Sequence, residues 1–280
     1  MSTHPQKTWL ITGISSGFGK ALAEALLAAG ERVVGTVRTP EAIDAFDQLK
    51  PGYSFARLLD VTDSLFIPAV VAEIEKNIGA IDVLVNNAGY GFEGVLEESS
   101  LDDMRQQFEV NVFGAVAMIQ AVLPFMRQRR RGHILNITSM GGLTTFPGLG
   151  VYHGSKFALE GISETLGKEV KTFGIHVTAI EPGGFRTDWA GRSMVRAERS
   201  IADYDASFDA VRASRQARSD RQDGDPTKAA LAMMQVVAST EPPAHLLLGS
   251  DALEHVTAKL AALQAEIEAW ESVSRSTDFA

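Results

Sequence analysis

The stretch from Thr8 to Lys20 reads T-W-L-I-T-G-I-S-S-G-F-G-K and leads into an alanine- and leucine-rich amphipathic run that ends at Gly30. A short apolar run followed by glycines and such a segment predicts a strand, a tight loop and a helix. Glycine lets the backbone approach a ligand closely, and a helix N-terminus presents free N–H groups to it. We therefore expect the loop with Gly13, Gly17 and Gly19 to hold a pyrophosphate, although its T-G-x-x-x-G-x-G spacing differs from the G-x-G-x-x-G pattern of dehydrogenases at large.

The end of the next strand, which we place at Arg32–Arg38, bears on the choice of cofactor. Nicotinamide enzymes that use NAD usually have an acidic residue there, which binds the ribose 2′-hydroxyl. This chain reads T-V-R-T at Thr36–Thr39 and has no acid. Because an arginine can meet a 2′-phosphate through charge-assisted hydrogen bonds, Arg38 favours NADP(H) over NAD(H). A solvated arginine at a strand end is the alternative.

Five more apolar runs predict strands, and the residues after several of them are suited to ligand binding. The runs are Tyr53–Leu59, Ile81–Asn86, Gly132–Thr138, Gly174–Glu181 and Ala244–Leu248. Parallel strands place ligand-binding residues at their carboxyl ends. We therefore expect Asp60 to bond an adenine or, alternatively, to cap the next helix. The turn with Asn87, Ala88 and Gly89 is expected to pass beneath the cofactor.

A second segment, Ser139–Lys156, carries the chemistry and reads S-M-G-G-L-T-T-F-P-G-L-G-V-Y-H-G-S-K. Tyr152 and Lys156 are four residues apart at the start of a predicted helix, where such positions lie on one face. We expect the Lys156 ammonium to lower the pKa of the phenol, so that the phenol can exchange a proton with an alcohol or a carbonyl. The Ser139 hydroxyl can hydrogen-bond the same substrate oxygen. Taken alone, a Y-x-x-x-K spacing is common on solvated helix faces.

A long helix is predicted from Leu101, and it contains Asn111 between apolar neighbours. Asparagine is a poor helix-interior residue because its side chain competes for backbone hydrogen bonds. We therefore expect a kink or a functional polar contact at Asn111.

The composition narrows the classes of function. The chain has 280 residues, of which 45% are hydrophobic and 22% charged, and this fits one large α/β domain better than two small ones. A net charge of −9 argues against a general nucleic-acid binder. The absence of cysteine excludes thiol catalysis, disulfides and thiolate metal sites, and no metal site is expected. Because the N-terminus lacks an apolar signal-peptide core and no run approaches the length of a membrane span, we expect a soluble cytoplasmic protein.

Two C-terminal regions lie outside the strand and helix alternation. Residues 189–225 are the least regular segment and are expected to form a lid over the substrate. Arginines of this lid could select an anionic substrate, although a solvated helical lid is favoured; they are Arg192, Arg196, Arg199, Arg212, Arg215, Arg218 and Arg221. Pro226 then starts a helix, and residues 250–272 form a helical extension. Its apolar stripe is expected to pack on its own domain or on a partner subunit and consists of Leu253, Val256, Leu260, Leu263, Ile267 and Trp270.

Together these residues resemble the classical short-chain dehydrogenase/reductase family over nearly the whole chain, to about Leu248. The matching positions are Thr12, Gly13, Gly17, Gly19, Asp60, Asn86, Asn87, Ala88, Gly89, Asn111, Ser139, Tyr152, Lys156, Pro182 and Gly183. The resemblance implies an α/β fold, with residues 1–280 forming a single Rossmann-like doubly wound domain. Such a domain is a three-layer sandwich with a seven-stranded parallel sheet. Arg38 is similar to the NADP-preferring type, in which a second basic residue usually stands at the position of Ser16. The chain is also similar to the branch that contains 17β-hydroxysteroid and retinol dehydrogenases.

The resemblance also implies roles for individual residues. Tyr152 is the general acid/base, and Ser139 stabilises the substrate oxygen. Lys156 lowers the tyrosine pKa and binds the nicotinamide ribose, and Asn111 holds a water that connects Lys156 to solvent. The expected cofactor contacts are Gly13, Ser15, Ser16, Gly17, Phe18, Gly19, Arg38, Asp60, Val61, Asn87, Ala88, Gly89, Tyr152, Lys156, Pro182, Gly183 and Thr187. A homo-oligomer, either a dimer or a tetramer, is the family expectation.

The expected reaction is hydride transfer between the nicotinamide C4 and a carbonyl carbon, with Tyr152 supplying the proton in the reduction direction. The candidate substrate wall consists of Phe92, Gly141, Leu143, Phe146, Leu149, Phe185 and Trp189. Their character indicates a mostly apolar ketone or secondary alcohol, although core packing would explain several of these aromatics equally well. The alternatives are a non-catalytic dinucleotide-sensing protein and an NAD-linked alcohol dehydrogenase. The intact Tyr–Lys pair and the glycine spacing disfavour a sensor, a sugar-nucleotide epimerase and an enoyl reductase.

Overall fold

The structure, a computed structural model, describes residues 6–189, 191, 193–217 and 221–279. Its strands are β1 (Thr8–Ile11), β2 (Arg32–Val37), β3 (Ser54–Leu58), β4 (Ile81–Asn86), β5 (Gly91–Glu93), β6 (Gly132–Ile137), β7 (Ile175–Pro182), β8 (Met194–Arg196) and β9 (His245–Leu248). Its helices are α1 (Gly17–Ala29), α2 (Glu41–Asp47), α3 (Ile67–Asn77), α4 (Leu101–Phe108), α5 (Gly114–Arg129), α6 (Gly150–Val170), α7 (Asp205–Ala217), α8 (Pro226–Ala238), α9 (Ser250–Ala269) and α10 (Glu271–Arg275).

Seven of the strands form one parallel sheet in the order β3-β2-β1-β4-β6-β7-β9. The strand order reverses between β1 and β4, which is the arrangement of a doubly wound sheet. The expected Rossmann-like architecture with seven parallel strands is therefore confirmed. For the six strands whose bounds were predicted, each end lies within one residue of the prediction.

Helices cover both faces of the sheet, so the strands are nearly continuous apolar runs. On one face, Val83 of β4 packs with Leu22 of α1 and Met233 of α8. On the other face, Leu84 packs with Met118 of α5. Neighbouring residues of β4 thus belong to different cores, because successive side chains of a strand point to opposite faces. Each such buried side chain contributes about 1.5–3 kcal/mol relative to exposure, and the two cores hold the carboxyl edge of the sheet in place.

The helix predicted from Leu101 is divided in two. One π-helical turn, Glu109–Phe113, joins α4 to α5 and contains Asn111. Such turns insert an extra residue into a helix and are frequent at functional sites, so the helix is irregular at the position where a kink or a polar contact was expected.

Contrary to the sequence expectation, the stretch Leu101–Arg129 is long and apolar enough to cross a membrane by length and composition. Its most apolar window has a mean hydropathy of 1.6, and 39% of that window is buried. Met118 and Val122 are fully buried in the core beneath the sheet. The inner face of this helix is therefore a core face, which explains much of its hydropathy.

The segment predicted as an irregular lid contains regular structure. Its strand β8 pairs in parallel with β5 to form a two-stranded ribbon. Its helix α7 packs Phe208 against Gly148, in the loop before α6. The predicted lid residues Arg192 and Arg218 lie outside the described residues.

The C-terminal extension is helical, as α9 and α10. Ala252 and Val256 are buried at the start of α9, whereas Leu260, Ile267 and Trp270 are 55%, 57% and 65% exposed. Of the predicted apolar stripe, Val256 therefore packs on its own domain, whereas Leu253 in the first turn is 54% exposed.

Candidate functional site

The carboxyl ends of the central strands open into one large cleft of about 1950 Å³. It lies where the strand order reverses, at the place where open α/β sheets bind ligands. A pocket for one small molecule typically measures about 300–1,000 Å³. The cleft therefore has room for a dinucleotide with a second ligand beside it.

The glycine-rich loop forms one wall of this cleft. Gly13 and Gly17 line it with φ angles of +71° and +57°, a backbone conformation that strongly favours glycine. A Cβ atom on Gly19 would lie 2.5 Å from Nδ2 of Asn87, so a larger residue would push the loop away from the strand. The first turn of α1 contains no acidic residue, and the Ser16 side chain does not cap it. The loop thus leaves free N–H groups and the positive end of the helix dipole for an anion, which fits a pyrophosphate.

Hydrogen bonds from the end of β4 fix the shape of the glycine loop. The Thr12 hydroxyl accepts from the backbone N–H groups of Asn87 and Ala88 at 3.0 and 2.9 Å. The Asn87 side chain donates to the carbonyls of Thr12 and Gly13 at 2.9 and 2.8 Å. Asn87 therefore shapes the loop, while Ala88 and Gly89 line the cleft beside it.

The ends of β2 and β3 border the opposite side of the cleft. Arg38 is exposed just after β2 and lines the cleft, and Lys228 of α8 lines it as well. Asp60 also lines it, and its carboxylate accepts from the backbone N–H and hydroxyl of Thr62 at 2.9 and 2.8 Å. Because α3 begins only at Ile67, the alternative that Asp60 caps this helix is wrong.

Ser139, Tyr152 and Lys156 line the cleft together. Ser139 follows β6, and its hydroxyl accepts from the Gly141 N–H at 2.9 Å. The Lys156 ammonium lies 5.8 Å from the centroid of the Tyr152 ring and donates to the Ile137 carbonyl at 2.8 Å. The structure thus brings together the three side chains that the sequence singled out, from β6 and α6.

Burial has the largest effect on the pKa values of Tyr152 and Lys156. Burial raises the pKa of Tyr152 to about 12, although hydrogen bonds from the Ser139 and Trp189 side chains lower it. Burial lowers the pKa of Lys156 to about 8, against the attraction of Glu160. The structure therefore differs from the expected lowering of the phenol pKa by Lys156. The physical reason is that removal from water disfavours the charged phenolate, and this is the largest effect on the pKa of the phenol.

Asn111 lies next to this group but does not line the cleft. Its side-chain oxygen accepts from the Tyr90 N–H at 3.1 Å. Its amide donates to the Tyr90 carbonyl and to the Ser155 hydroxyl at 3.1 and 3.2 Å. The polar contact expected at Asn111 is therefore present, and it ties the π turn to the loop after β4 and to α6.

The loop after β7 forms the far wall. Pro182, Gly183 and Thr187, for which the sequence predicts cofactor contacts, line the cleft. Asp251 of α9 accepts from the Gly184 N–H at 2.6 Å, and its side chain packs where a Cβ on Gly183 would lie. The C-terminal helix therefore holds this loop in position.

The structure brings only part of the predicted substrate wall to the cleft. Gly141, Phe146, Leu149, Phe185 and Trp189 line the cleft, and the Trp189 ring lies 5.2 Å from that of Tyr152. Phe92 and Leu143 are not among the lining residues. Phe92 is 1% exposed and packs with Val151 and Ala197, so core packing is the correct interpretation of that aromatic.

Ion pairs hold three of the described arginines of the predicted lid, and Arg221 lines the cleft. Arg196 and Arg215 both pair with the buried Glu93. Arg199 pairs with Glu98 at 2.9 Å. Because the charges of Arg196, Arg199 and Arg215 are already balanced, their geometry favours a structural role for these three side chains over selection of an anionic substrate.

Several residues of the cleft were missed by sequence reasoning. They are Tyr90, His153, Lys228, Asp251 and His255, all of which line it. His153 could have been noticed because it directly follows Tyr152. Lys228, Asp251 and His255 come from α8 and α9, and only the folded chain brings them to the cleft.

Comparison with known proteins agrees with this geometry. The family model described as short chain dehydrogenase matches residues 7–196. The 3-ketodihydrosphingosine reductase of Bacteroides thetaiotaomicron is 40% identical over 243 residues, which cover 86% of this chain and 87% of that protein.

Two solved structures are similar over most of the chain. A short-chain dehydrogenase from Streptomyces avermitilis has a TM-score of 0.91 and 41% identity, with 99% of this chain and 100% of that one covered. ElxO with NADP bound has a TM-score of 0.73 and 26% identity, with 89% of this chain and 100% of that one covered. With the glycine loop and the Ser139, Tyr152 and Lys156 side chains in one cleft, this chain belongs to the short-chain dehydrogenase family of nicotinamide-dependent oxidoreductases.

Proposed function

We propose that the protein is an NADP(H)-dependent oxidoreductase that interconverts an apolar ketone and the corresponding secondary alcohol. The observation that carries this proposal is the buried Tyr152 phenol in the large cleft, flanked by Ser139 and Lys156. A phenol with two such neighbours can pass a proton to a substrate oxygen.

The cleft residues fit a dinucleotide. The glycine loop and the N-terminus of α1 would hold the pyrophosphate, and Arg38 the 2′-phosphate, with Lys228 adding a second cation to the same cleft. Asp60 and Val61 would border the adenine, and Lys156 would bind the nicotinamide ribose. When bound, the nicotinamide ring donates or accepts a hydride at C4. The NADP-bound structure of the relative ElxO supports this choice of cofactor.

The chain's own residues manage the proton and the substrate oxygen. In the reduction direction, the Tyr152 hydroxyl donates its proton to the carbonyl oxygen of the ketone. The Ser139 hydroxyl stabilises the charge that develops on that oxygen. The positive charge of Lys156 stabilises the phenolate left behind. Asn111 supports the arrangement by tying α6 to the π turn, and we assign it the water that links Lys156 to solvent.

The substrate side of the cleft is mostly apolar. Phe146, Leu149, Phe185 and Trp189 face it, and α7 of the lid segment adds Val211. A hydrophobic ketone is therefore favoured over a small polar one. The relative from Bacteroides thetaiotaomicron is named as a reductase of 3-ketodihydrosphingosine, which makes this long-chain ketone the first substrate to test.

We further propose a homo-oligomer in which the exposed stripe of α9 forms a subunit contact. Leu260, Leu263 and Ile267 are 55%, 40% and 57% exposed on this helix, and burying them would remove apolar surface from water. Light scattering after size-exclusion chromatography measures the subunit number. A smaller particle for Ile267→Glu than for the wild type would support the contact, and an unchanged particle would oppose it.

The experiment that tests the activity is NADPH oxidation with 3-ketodihydrosphingosine and a panel of apolar ketones. We expect turnover by the wild type and a loss of about 10²-fold or more in Tyr152→Phe, with the dissociation constant of NADPH unchanged. The exposed tyrosine variant Tyr53→Phe is the matched control and should keep full turnover. Wild-type kcat in Tyr152→Phe would overturn the proposal.

A further inference from the structure

His153 follows Tyr152 in the first turn of α6 and is 3% exposed. Its ring lies between two parts of the loop that connects β6 to α6. Nδ1 is 2.8 Å from the carbonyl oxygen of Gly141, and Nε2 is 3.0 Å from the backbone nitrogen of Phe146. One side chain thus links Gly141 and Phe146, two loop residues five positions apart, and attaches both to the helix.

These two contacts define the protonation state of the ring. The Phe146 N–H can only donate, so Nε2 has to be the unprotonated acceptor. The Gly141 carbonyl can only accept, so Nδ1 has to carry the proton. An imidazolium would lose the bond to Phe146, because both of its nitrogens are donors. Burial and the nearby charge of Arg215 lower the pKa of His153, which keeps the ring neutral.

The bridge leads directly to the reacting group. Gly141 donates its N–H to the Ser139 hydroxyl at 2.9 Å while its carbonyl accepts from His153. A Cβ on Gly141 would lie 2.7 Å from Nδ1 of His153, so the glycine lets the ring pack against this turn. The imidazole therefore holds Gly141, the residue whose N–H orients the Ser139 hydroxyl.

The second ring nitrogen, Nε2, holds Phe146 of the predicted substrate wall in place. Phe146 is held through its backbone, and its ring lies 5.9 Å from that of His153 and 5.3 Å from that of His255 on α9. Because the Phe146 side chain lines the cleft, loss of this bond would move an apolar wall of the ketone site.

We propose that His153 is a positioning residue: its neutral imidazole, protonated on Nδ1, holds the loop that carries Ser139 against the helix that carries Tyr152. This inference rests on the proposed ketone reduction. It assigns separate effects to the two nitrogens. The Nδ1 bond sets the orientation of Ser139 and so affects kcat, whereas the Nε2 bond sets the place of Phe146 and so affects KM.

Two substitutions separate these effects. In His153→Asn the amide nitrogen can replace Nδ1 as the donor to Gly141, but nothing reaches Phe146. In His153→Gln the amide oxygen can replace Nε2 as the acceptor from Phe146, but the Gly141 carbonyl loses its donor. We expect KM to rise about tenfold in the first variant with kcat nearly kept. We expect kcat to fall about 10- to 100-fold in the second with KM nearly kept.

The assay uses 3-ketodihydrosphingosine or whichever ketone of the panel is turned over. The dissociation constant of NADPH should not change in either variant, and His176→Asn, an exposed histidine at the opposite end of the sheet, should behave as the wild type. Equal changes in kcat and KM in both variants, or changes that only follow a lowered Tm, would contradict the proposal.

Nitrogen NMR of the histidine rings tests the geometry independently of turnover. With 15N-labelled histidine, and the His153 signals identified by their loss in His153→Gln, we expect a neutral ring protonated on Nδ1 at pH 7. A proton on Nε2, or an imidazolium, would overturn the bridge even if the enzyme reduces ketones. If the NMR spectrum shows the expected tautomer but the protein reduces no ketone, only the proposed function is refuted and the His153 bridge stands.

Discussion

The Lys156 ammonium donates a hydrogen bond to the main-chain carbonyl of Ile137 at 2.8 Å. This bond fixes the cation at the carboxyl end of β6, beside the Tyr152 phenol. Because burial lowers the pKa of Lys156 to about 8, the charge that stabilises a phenolate declines as the pH rises through that value.

We therefore expect the rate of ketone reduction to fall above about pH 8 and to fall about 10²-fold at pH 7 in Lys156→Met. The measurement is a pH profile of kcat by NADPH oxidation. Lys168→Met is the matched control, since Lys168 lies on the same helix, is exposed and pairs with Glu164. Equal losses in the two variants would show that the effect is not specific to the cleft.

The close packing of Gly19 against Asn87 in the glycine loop gives a prediction about NADPH binding and Tm. A Cβ on Gly19 would lie 2.5 Å from Nδ2 of Asn87, and that amide supports the backbone of the loop. Gly19→Ala should therefore weaken NADPH binding and lower the Tm. In Gly161→Ala, a Cβ on the exposed side of α6 meets nothing within 4 Å, and helix propensity should stabilise the protein by about 0.5–1 kcal/mol. Thermal unfolding with and without NADPH distinguishes the two. A Gly19→Ala variant that binds NADPH as well as Gly161→Ala does would disprove the close fit.

Much of the fold was predictable because it depends on patterns of neighbouring residues in the sequence. Buried strands such as β4 are short apolar runs, and Gly13, Gly17 and Gly19 occupy positions where a positive φ or a close contact disfavours a side chain. The spacing of Tyr152 and Lys156 follows from helix geometry alone. The position of Phe92 could not be predicted, since an aromatic side chain looks the same in the sequence whether it faces a cleft or a core.

Other features depend on distant contacts. Asp251 meets the cleft only because α9 begins beside the end of β7, about seventy residues along the chain from Gly183. The pKa of Tyr152 could not be read from the nearby lysine, because the burial that raises it is a property of the whole fold. The ion pairs of the lid arginines likewise required the structure, because their partner Glu93 lies on β5.

Arg38 provides a test of cofactor choice. It is exposed and lines the cleft, so a 2′-phosphate can reach it without displacing a packed side chain. A charge-assisted hydrogen bond contributes about 1.5–3 kcal/mol, which corresponds to about 10- to 100-fold in the dissociation constant.

We therefore expect Arg38→Ala to weaken NADPH binding by about that factor and to leave NADH binding unchanged. Fluorescence titration of both cofactors in one buffer measures this. Arg105→Ala, an exposed arginine paired with Asp102 on α4, is the control and should change neither constant. If the wild type binds NADH as tightly as NADPH, Arg38 is only a solvated strand-end residue and the protein is better tested as an NAD-linked alcohol dehydrogenase.

A pair of buried carboxyl groups, one on α6 and one on β7, predicts how stability depends on pH. Glu160 and Glu181 are 5% and 0% exposed, and a carboxylate oxygen of Glu181 accepts from Nδ1 of His245 at 2.7 Å. Burial raises the pKa of both carboxyl groups to about 7. Ligand atoms of these three side chains lie within 4.8 Å of one another, so two negative charges there repel, and one proton shared between the carboxyl groups removes that repulsion.

The folded pKa of each group is above its ordinary value of 4.5, so the folded state binds more protons than the unfolded state between these values. Their contribution to stability is therefore complete below about pH 4.5 and is lost as the pH rises through about 7. Glu181→Gln removes one charge and should raise the Tm relative to the wild type at pH 8 but not at pH 5. Glu164→Gln, which changes an exposed carboxylate on the same helix, should show no such difference. If the difference in Tm between Glu181→Gln and the wild type is the same at pH 5 and pH 8, the two carboxyl groups share no proton. The next arrangement to test would then be a cation bound by Glu160, Glu181 and His245.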